Sequence, residues 1–159
     1  MISMIAAIGK NNELGKNNNL IWHFKEDMKF FKEITMNHKV VMGRKTYESL
    51  PGPLNGREMI VISTGTVDKA IRVYNNINSI VDKYKNSDEE VFICGGASIY
   101  KEFLPYANKL YLTEINSTCD EADTFFPEFN KSEWNKRLLA KFEQNDIQFC
   151  MYLYERKNM

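Results

Sequence analysis

Cysteine is scarce in this chain and neither sign of charge prevails. Cys94, Cys119 and Cys150 are the three cysteines, odd in number and widely spaced. They form no CxxC pair and no His-Cys cluster, so no metal and no disulfide framework are expected, and a reducing compartment is the simplest setting. Lysine and arginine total 21, as do aspartate and glutamate, for a formal net charge of zero. Nucleic-acid binders carry a basic excess, so nucleic acid is not an expected partner, and anions must be held by local clusters. The opening run Met1–Ile8 lacks a basic segment ahead of it and passes straight into Gly9-Lys10-Asn11-Asn12. It reads as a buried first strand and not as a signal peptide or membrane span, so the expectation is a cytoplasmic protein without a membrane partner. No repeat or linker interrupts the chain. Its 159 residues, 43% of them hydrophobic, suit a single domain over residues 1–159.

What is present is a series of short apolar runs, each closed by glycine or a small polar residue. Residues 2–8, 39–42, 59–62 and 91–94 are such runs, with weaker ones at 71–74 and 109–115. Continuous runs of this length suit strands buried on both faces. Helical patterns lie between them, at about 25–35, 44–50, 77–86 and 97–104. The alternation predicts an α/β fold with a central mixed, mostly parallel sheet of about eight strands flanked by about four helices. Residues 137–143 and 148–155, joined by a polar turn near Asn145-Asp146, predict a C-terminal antiparallel hairpin. The Asn-rich stretch Asn11–Asn19 reads either as a flexible surface loop or as a mobile cover over a site.

Asp27 is the most informative residue. With residues 25–35 on a helix at about 100° per residue, Met28, Phe30, Phe31, Ile34 and Thr35 fall within about 100° of Asp27. Lys25, Glu26, Lys29, Lys32 and Glu33 gather on the opposite side. A carboxylate in the middle of an apolar face needs a partner or a task. It is either a structural aspartate bonded to a backbone amide or a buried arginine, or a functional one.

The strand ends are the second signal. Val40-Val41-Met42 stops at Gly43-Arg44-Lys45-Thr46 and a helix follows; Ile60-Val61-Ile62 stops at Ser63-Thr64-Gly65; Phe92-Ile93-Cys94 stops at Gly95-Gly96-Ala97-Ser98, again before a helix. Ligands bind beyond the carboxyl ends of parallel strands, where helix starts offer amides to phosphate and glycine lets the backbone come close. Each end alone is as compatible with a plain turn; three together point to a dinucleotide. Neither GxGxxG nor GxxxxGK followed by Ser or Thr occurs, which disfavours an ordinary Rossmann fingerprint and a P-loop.

In order and spacing the chain resembles the bacterial dihydrofolate reductase family nearly end to end. The resemblance rests on Ile5-Ala6-Ala7, Leu14-Gly15, Trp22 five residues before Asp27, Met42-Gly43-Arg44-Lys45-Thr46, Glu48-Ser49, Pro53-Leu54 and Gly56-Arg57. It continues through Gly95-Gly96 with Tyr100, Phe103-Leu104-Pro105, Leu110-Tyr111-Leu112-Thr113, and Asp123-Thr124 before Phe126-Pro127. It implies a monomer that reduces dihydrofolate to tetrahydrofolate with NADPH, by hydride transfer to C6 and protonation of N5.

The resemblance also implies roles by position. Asp27 would hold the pterin and help deliver the proton, supported by Thr113 and a water near Trp22. Ile5, Ala6, Ala7 and Met28 would line the pterin pocket, while Phe31, Leu50 and Leu54 would pack on the aminobenzoyl ring. Arg57 would pair with the glutamate α-carboxylate. Arg44, Ser63 and Thr64 would recognise the 2′-phosphate of NADPH, and Gly43, Lys45, Thr46 and the turn Gly95-Gly96-Ala97-Ser98 would hold its pyrophosphate. Ala7, Leu14, Gly15, Leu20, Cys94, Ile99 and Tyr100 would complete the cofactor site. The chain departs from the family's usual pattern in having Ile21 and Lys25 where proline is common, Tyr47 for tryptophan, Ala97 for glycine and Ser98 without an arginine. Two rivals stay open: another reductase on the same fold, which would not need Arg57 or Asp27 beneath a pterin, and a non-catalytic dinucleotide-binding module, which gives Asp27 no reason to exist.

Overall fold

Side chains leave the first strand on alternate faces, and both faces are apolar. In the computed structural model, which describes residues 1–52, 54–65, 67 and 72–157, β1 (Ile2–Ile8) puts Ile2, Met4 and Ile8 into one core cluster and Ile5 into a second. Burial on both faces explains the unbroken apolar run. Next come β2 (Glu13–Lys16), β3 (Asn19–Leu20), α1 (Lys25–Thr35), β4 (Lys39–Gly43) and α2 (Arg44–Ser49). After them lie β5 (Glu58–Ile62), β6 (Arg72–Tyr74), α3 (Asn78–Tyr84), β7 (Val91–Ile93) and α4 (Ala97–Phe103). The chain closes with β8 (Lys109–Ile115), β9 (Thr124–Phe125), β10 (Trp134–Gln144) and β11 (Ile147–Arg156). Pro53, named above beside Leu54, and the first residue of the run 71–74 lie outside the described residues.

The main sheet has eight strands in the order β10-β11-β8-β1-β7-β4-β5-β6. From β8 to β6 every neighbour is parallel, and β11 and β10 add the antiparallel hairpin. Among the described residues, the mostly parallel sheet of eight strands with four α-helices is the architecture the sequence predicts. Parallel pairing sets the carboxyl ends side by side: Gly43 stands opposite Ile62, Ala7 opposite Thr113, and the Gly43 amide donates to the Gly95 carbonyl at 2.9 Å. The hairpin turns on Asn145 and Asp146, both left-handed with φ of 54° and 63°; this two-residue form matches the twist of the flanking strands. β10 is the outermost strand, with a register shift between Leu138 and Ala140 and with Leu138, Leu139 and Phe142 exposed.

The reading of Asn11–Asn19 as a plain flexible loop is corrected. The stretch holds β2 and β3, which with β9 form a separate antiparallel sheet in the order β3-β2-β9. Its asparagines are turn residues: Asn12, Asn17 and Asn18 have φ of 63°, 51° and 63°. Asparagine tolerates this left-handed conformation better than other side chains with a Cβ.

Gly56 lies between α2 and β5 with φ of +81°, and a Cβ there would collide with Met36 Sδ. Its carbonyl also accepts the Asn37 amide at 2.8 Å, which ties the loop to the end of α1. Gly56→Ala should destabilise the protein by about 1–3 kcal/mol, read as a lower urea midpoint. An unchanged midpoint would show that Met36 yields and that the backbone is unstrained.

Candidate active site

The helix that carries Asp27 starts without a side-chain cap of its own. Its Lys25 amide donates instead to Gln144 Oε1 at 3.0 Å, from the end of β10. Glu26 and Asp27 in the first turn and Lys32 in the last match the helix dipole. Phe31 and Ile34 pack on the second core cluster, and Phe30 packs on a third around Phe24, Ile115, Phe149 and Met151. Met28 is 56% exposed, so it does not join the apolar face where the helical wheel puts it. Its place at the edge of that face, about 100° from Asp27 on the wheel, accounts for the exposure.

Asp27 sits half-buried on that face, and its Oδ1 accepts a hydrogen bond from Thr113 Oγ1 at 2.5 Å. The partner is thus neither a backbone amide nor an arginine. It is a hydroxyl on β8, 2% exposed and in register with Ala7 of β1. Burial pushes the Asp27 carboxyl above its ordinary value, and the Thr113 hydrogen bond opposes that only in part. Among the described residues Oδ2 has no protein partner, which leaves it, with the second lone pair of Oδ1, free to accept from a ligand.

Ile5, Phe31, Leu50, Leu54 and Cys94 meet in the second cluster, beside Asp27 on α1. Ala7 and Trp22 meet in the third, whereas Ala6 points to the first. Burial pushes the Cys94 thiol up to about 12, so it is a packing group and not a nucleophile. At the far end of α1, Arg57 Nε donates to the Asn55 carbonyl at 3.0 Å and its Nη1 to Thr35 Oγ1 at 3.4 Å. Thr35 is eight residues beyond Asp27, about 12 Å along a helix. The helix therefore sets an anion at one end of an apolar stripe and a guanidinium at the other. That spacing suits an elongated ligand with a cationic or hydrogen-bonding ring and a distal carboxylate.

Beyond the strand ends, a second group of predicted residues comes together. Gly43 and Gly96 precede α2 and α4, and no side chain caps either helix, so their first-turn amides stay available. A Cβ on Gly96 would come within 3.4 Å of Thr46 Oγ1, and one on Gly43 within 3.2 Å of Ile99 Cγ1. Side chains here would fill the space an anion's oxygens need, so the cradle fits a nucleotide pyrophosphate. Arg44 and Lys45 lie exposed beside it, and Arg44 Nε bonds Glu48 Oε2 at 3.1 Å. A Cβ on Gly65 would meet Arg44 Nη1 at 3.1 Å, and the Gly65 amide donates to Ser63 Oγ, also at 3.1 Å. Arg44, Ser63 and the Thr64 turn thus form one polar corner. Ser98 is exposed and Ala97 half-buried at the start of α4.

Tyr100 joins the two groups. Its hydroxyl donates to the Ile5 carbonyl at 2.6 Å, and burial, more than the nearby Cys94 and Asp27, pushes the phenol well up. It acts as a fixed donor with no acidic role. Leu14 packs on the first cluster, and Gly15 pairs with Leu20 across β2 and β3. Leu20 is 54% exposed and belongs to none of the three core clusters. Sequence reasoning missed Glu13, a carboxylate 1% exposed in β2. It stands in a polar stretch with no periodicity to mark it as inward-facing. Among the described residues no group of three or more His, Cys, Asp or Glu could hold a metal ion.

A family model described as dihydrofolate reductase matches residues 1–156. A dihydrofolate reductase of Bacillus subtilis is 39% identical over 163 aligned positions, covering 99% of this chain and 96% of that protein. One from Buchnera aphidicola of Acyrthosiphon pisum is 42% identical over 143, covering 88% and 87%. The solved structure of a dihydrofolate reductase from Enterococcus faecalis, complexed with NADP(H) and RAB-propyl, is similar with a TM-score of 0.87 at 30% identity, covering 99% of this chain and 97% of that one.

The raised Asp27 carboxyl has a consequence for stability. The native chain binds this proton more tightly than the unfolded chain, whose carboxyl titrates near 3.8. Stability therefore falls as pH rises from 3.8 toward the raised native value, and stays reduced above it. Asp27→Asn removes that loss. It should melt higher than the wild type at neutral pH, with the gap closing in acid; equal melting temperatures at neutral pH would mean Asp27 is not desolvated.

Proposed function

The chain belongs to the dihydrofolate reductase family, and from that footing we propose how its residues bring about the NADPH-dependent reduction of 7,8-dihydrofolate to tetrahydrofolate. The observation that carries the assignment is the Asp27–Thr113 pair at 2.5 Å, with Arg57 fixed at the other end of the same helix. Asp27 accepts from N3 and the 2-amino group of the pterin, and its negative charge favours the ring that gains a proton at N5. Thr113 holds the carboxylate still, and Trp22, packed with Ala7 and Phe24, keeps bulk water away from that end. Ile5, Ala6, Ala7 and Met28 surround the pterin. Phe31, Leu50 and Leu54 clasp the aminobenzoyl ring, and Arg57 receives the glutamate α-carboxylate as a fork.

Bound NADPH supplies the hydride that C6 receives. Arg44, Ser63 and Thr64 select its 2′-phosphate, while Gly43, Lys45, Thr46 and the residues Gly95, Gly96, Ala97 and Ser98 hold the pyrophosphate by amides and charge. Ala7, Leu14, Gly15, Leu20, Cys94, Ile99 and Tyr100 complete the cofactor side. The protein's contribution is alignment and the exclusion of water. The chain works as one domain and as a monomer in the cytoplasm. The free thiols of Cys94, Cys119 and Cys150 suit that compartment. Among the described residues no helix is long and apolar enough to cross a membrane.

The direct test is whether the purified protein consumes NADPH only when dihydrofolate is present; oxidation without it, or none with it, overturns the reading. Asp27→Asn keeps the shape and removes the charge. It should lose about 10²–10⁴-fold in turnover at neutral pH and recover in part toward acid, where the substrate protonates itself. A variant as active as the wild type at neutral pH would make Asp27 structural. For Arg44→Leu, loss of a charged contact worth about 1.5–3 kcal/mol should raise the KM for NADPH about ten- to a hundredfold. The KM for NADH should barely move. An equal rise for both would return Arg44 to its Glu48 pair alone.

A further inference from the structure

Glu13 is a buried charge that the reaction does not use. It is 1% exposed, and among the described residues no lysine, arginine or histidine pairs with it. Both carboxylate oxygens are spent on backbone amides from two different segments. Oε1 accepts from the Asn11 amide at 2.7 Å, and Oε2 accepts from the Cys119 amide, also at 2.7 Å. Burial pushes the carboxyl up, and the amides of Cys119, Glu13 and Asn11 more than offset that, so it rests below its ordinary value. The ionised form is the one the fold holds.

The same carboxylate reaches toward the site. A Cβ on Gly9 would meet Glu13 Oε1 and the Trp22 ring atom Cη2, each at 2.5 Å. Gly9 is thus the point where the end of β1, the Glu13 carboxylate and the Trp22 ring edge close on one another. Around it, backbone bonds lace the segment after β1 to the one after β8. The Lys10 amide donates to the Ser117 carbonyl at 2.9 Å, and the Asp123 amide to the Gly15 carbonyl at 3.0 Å. Lys10 and Asp123 are exposed, whereas Glu13 is a buried side chain bonded into both segments.

We infer that Glu13 is a positioning residue for the reduction: its carboxylate clamps the Gly9–Trp22 segment to the segment around Cys119 and so fixes Trp22 at the pterin end of the cleft. The inference rests on the proposed reading that Trp22 closes that end to water. A clamp of this kind acts on alignment and not on substrate affinity, because Asp27, Phe31 and Arg57 lie on other elements. Misplacement on the scale of an ångström is enough to slow a transfer step about a hundredfold.

Two variants at Glu13 test it. Glu13→Gln keeps the volume but turns an NH2 toward one of the two amides, and Glu13→Leu leaves both amides without an acceptor. Working well below each melting temperature, single-turnover hydride transfer should slow about ten- to a hundredfold, with the dihydrofolate dissociation constant within about twofold. In a Trp134→Phe background, which leaves Trp22 as the one tryptophan, iodide should quench Trp22 fluorescence more strongly in both variants. A lower melting temperature with unchanged transfer rate and unchanged quenching overturns the inference and leaves Glu13 a purely structural charge. If neither variant folds, amide exchange in the wild type decides. Asn11 and Cys119 should exchange at one shared rate and slow together when NADPH binds; independent rates, or no response, overturn it. A wild type that does not reduce dihydrofolate at all defeats the underlying reading instead, and the two failures are separable on that control.

Discussion

A carboxylate laid against an apolar sheet face has to find a hydrogen-bond donor, and for Asp27 that donor is Thr113. The bond at 2.5 Å joins two elements far apart in sequence, the first long helix and the strand beside β1. With the burial of Phe31 and Ile34 it fixes the rotation of α1 about its axis, since any other phase would break the bond and turn those side chains toward water. Once that rotation is set, Phe31 and Ile34 fall on the second core cluster and Thr35 falls at the far end, where it receives Arg57. The cleft's length, its apolar floor and its two charged ends all follow from one helix docked in one phase. Breaking the pair would therefore loosen the helix as well as the carboxylate.

The group beyond the strand ends depends on a different constraint, the parallel register. Strands that run the same way finish on the same edge, and here Gly43 and Gly95 finish within one hydrogen bond of each other. Two uncapped helix starts then open toward one place. The link between these helix starts and the Asp27 end of β1 is the Tyr100 hydroxyl on the Ile5 carbonyl. A hydroxyl buried that deeply donates to one acceptor and stays there, so the two half-sites keep a fixed separation.

Much of this was legible in the sequence wherever burial imposes a pattern. β1, β4, β5 and β7 are buried on both faces and read as apolar runs, and α1 reads as a wheel with one misplaced carboxylate. The hairpin at Asn145-Asp146 reads from its turn chemistry. The small sheet of β2, β3 and β9 did not. Its strands have four, two and two residues, too few for any period, and its asparagines look like loop composition although they are the left-handed residues of tight turns. The exposure of Met28 was not legible for a related reason: a wheel gives direction but not depth of burial. Glu13 was hidden because its partners are backbone amides, which leave no trace in side-chain spacing. The Asp27 partner was open for the same reason, since a threonine hydroxyl on a distant strand has no local signature.

The outermost strand carries a consequence for crowding. An eleven-residue edge with Leu138, Leu139 and Phe142 facing solvent is the kind of surface on which a neighbour's strand could continue the ladder. The register shift between Leu138 and Ala140 breaks the line of free amides and carbonyls midway, so no long run is on offer. Arg137 and Lys141 flank that break, exposed, and two such edges brought together would set cation against cation. The protein thus guards its own open border by a kink and two charges, and at the concentrations of a living cell the hairpin that completes the sheet also stops it from growing.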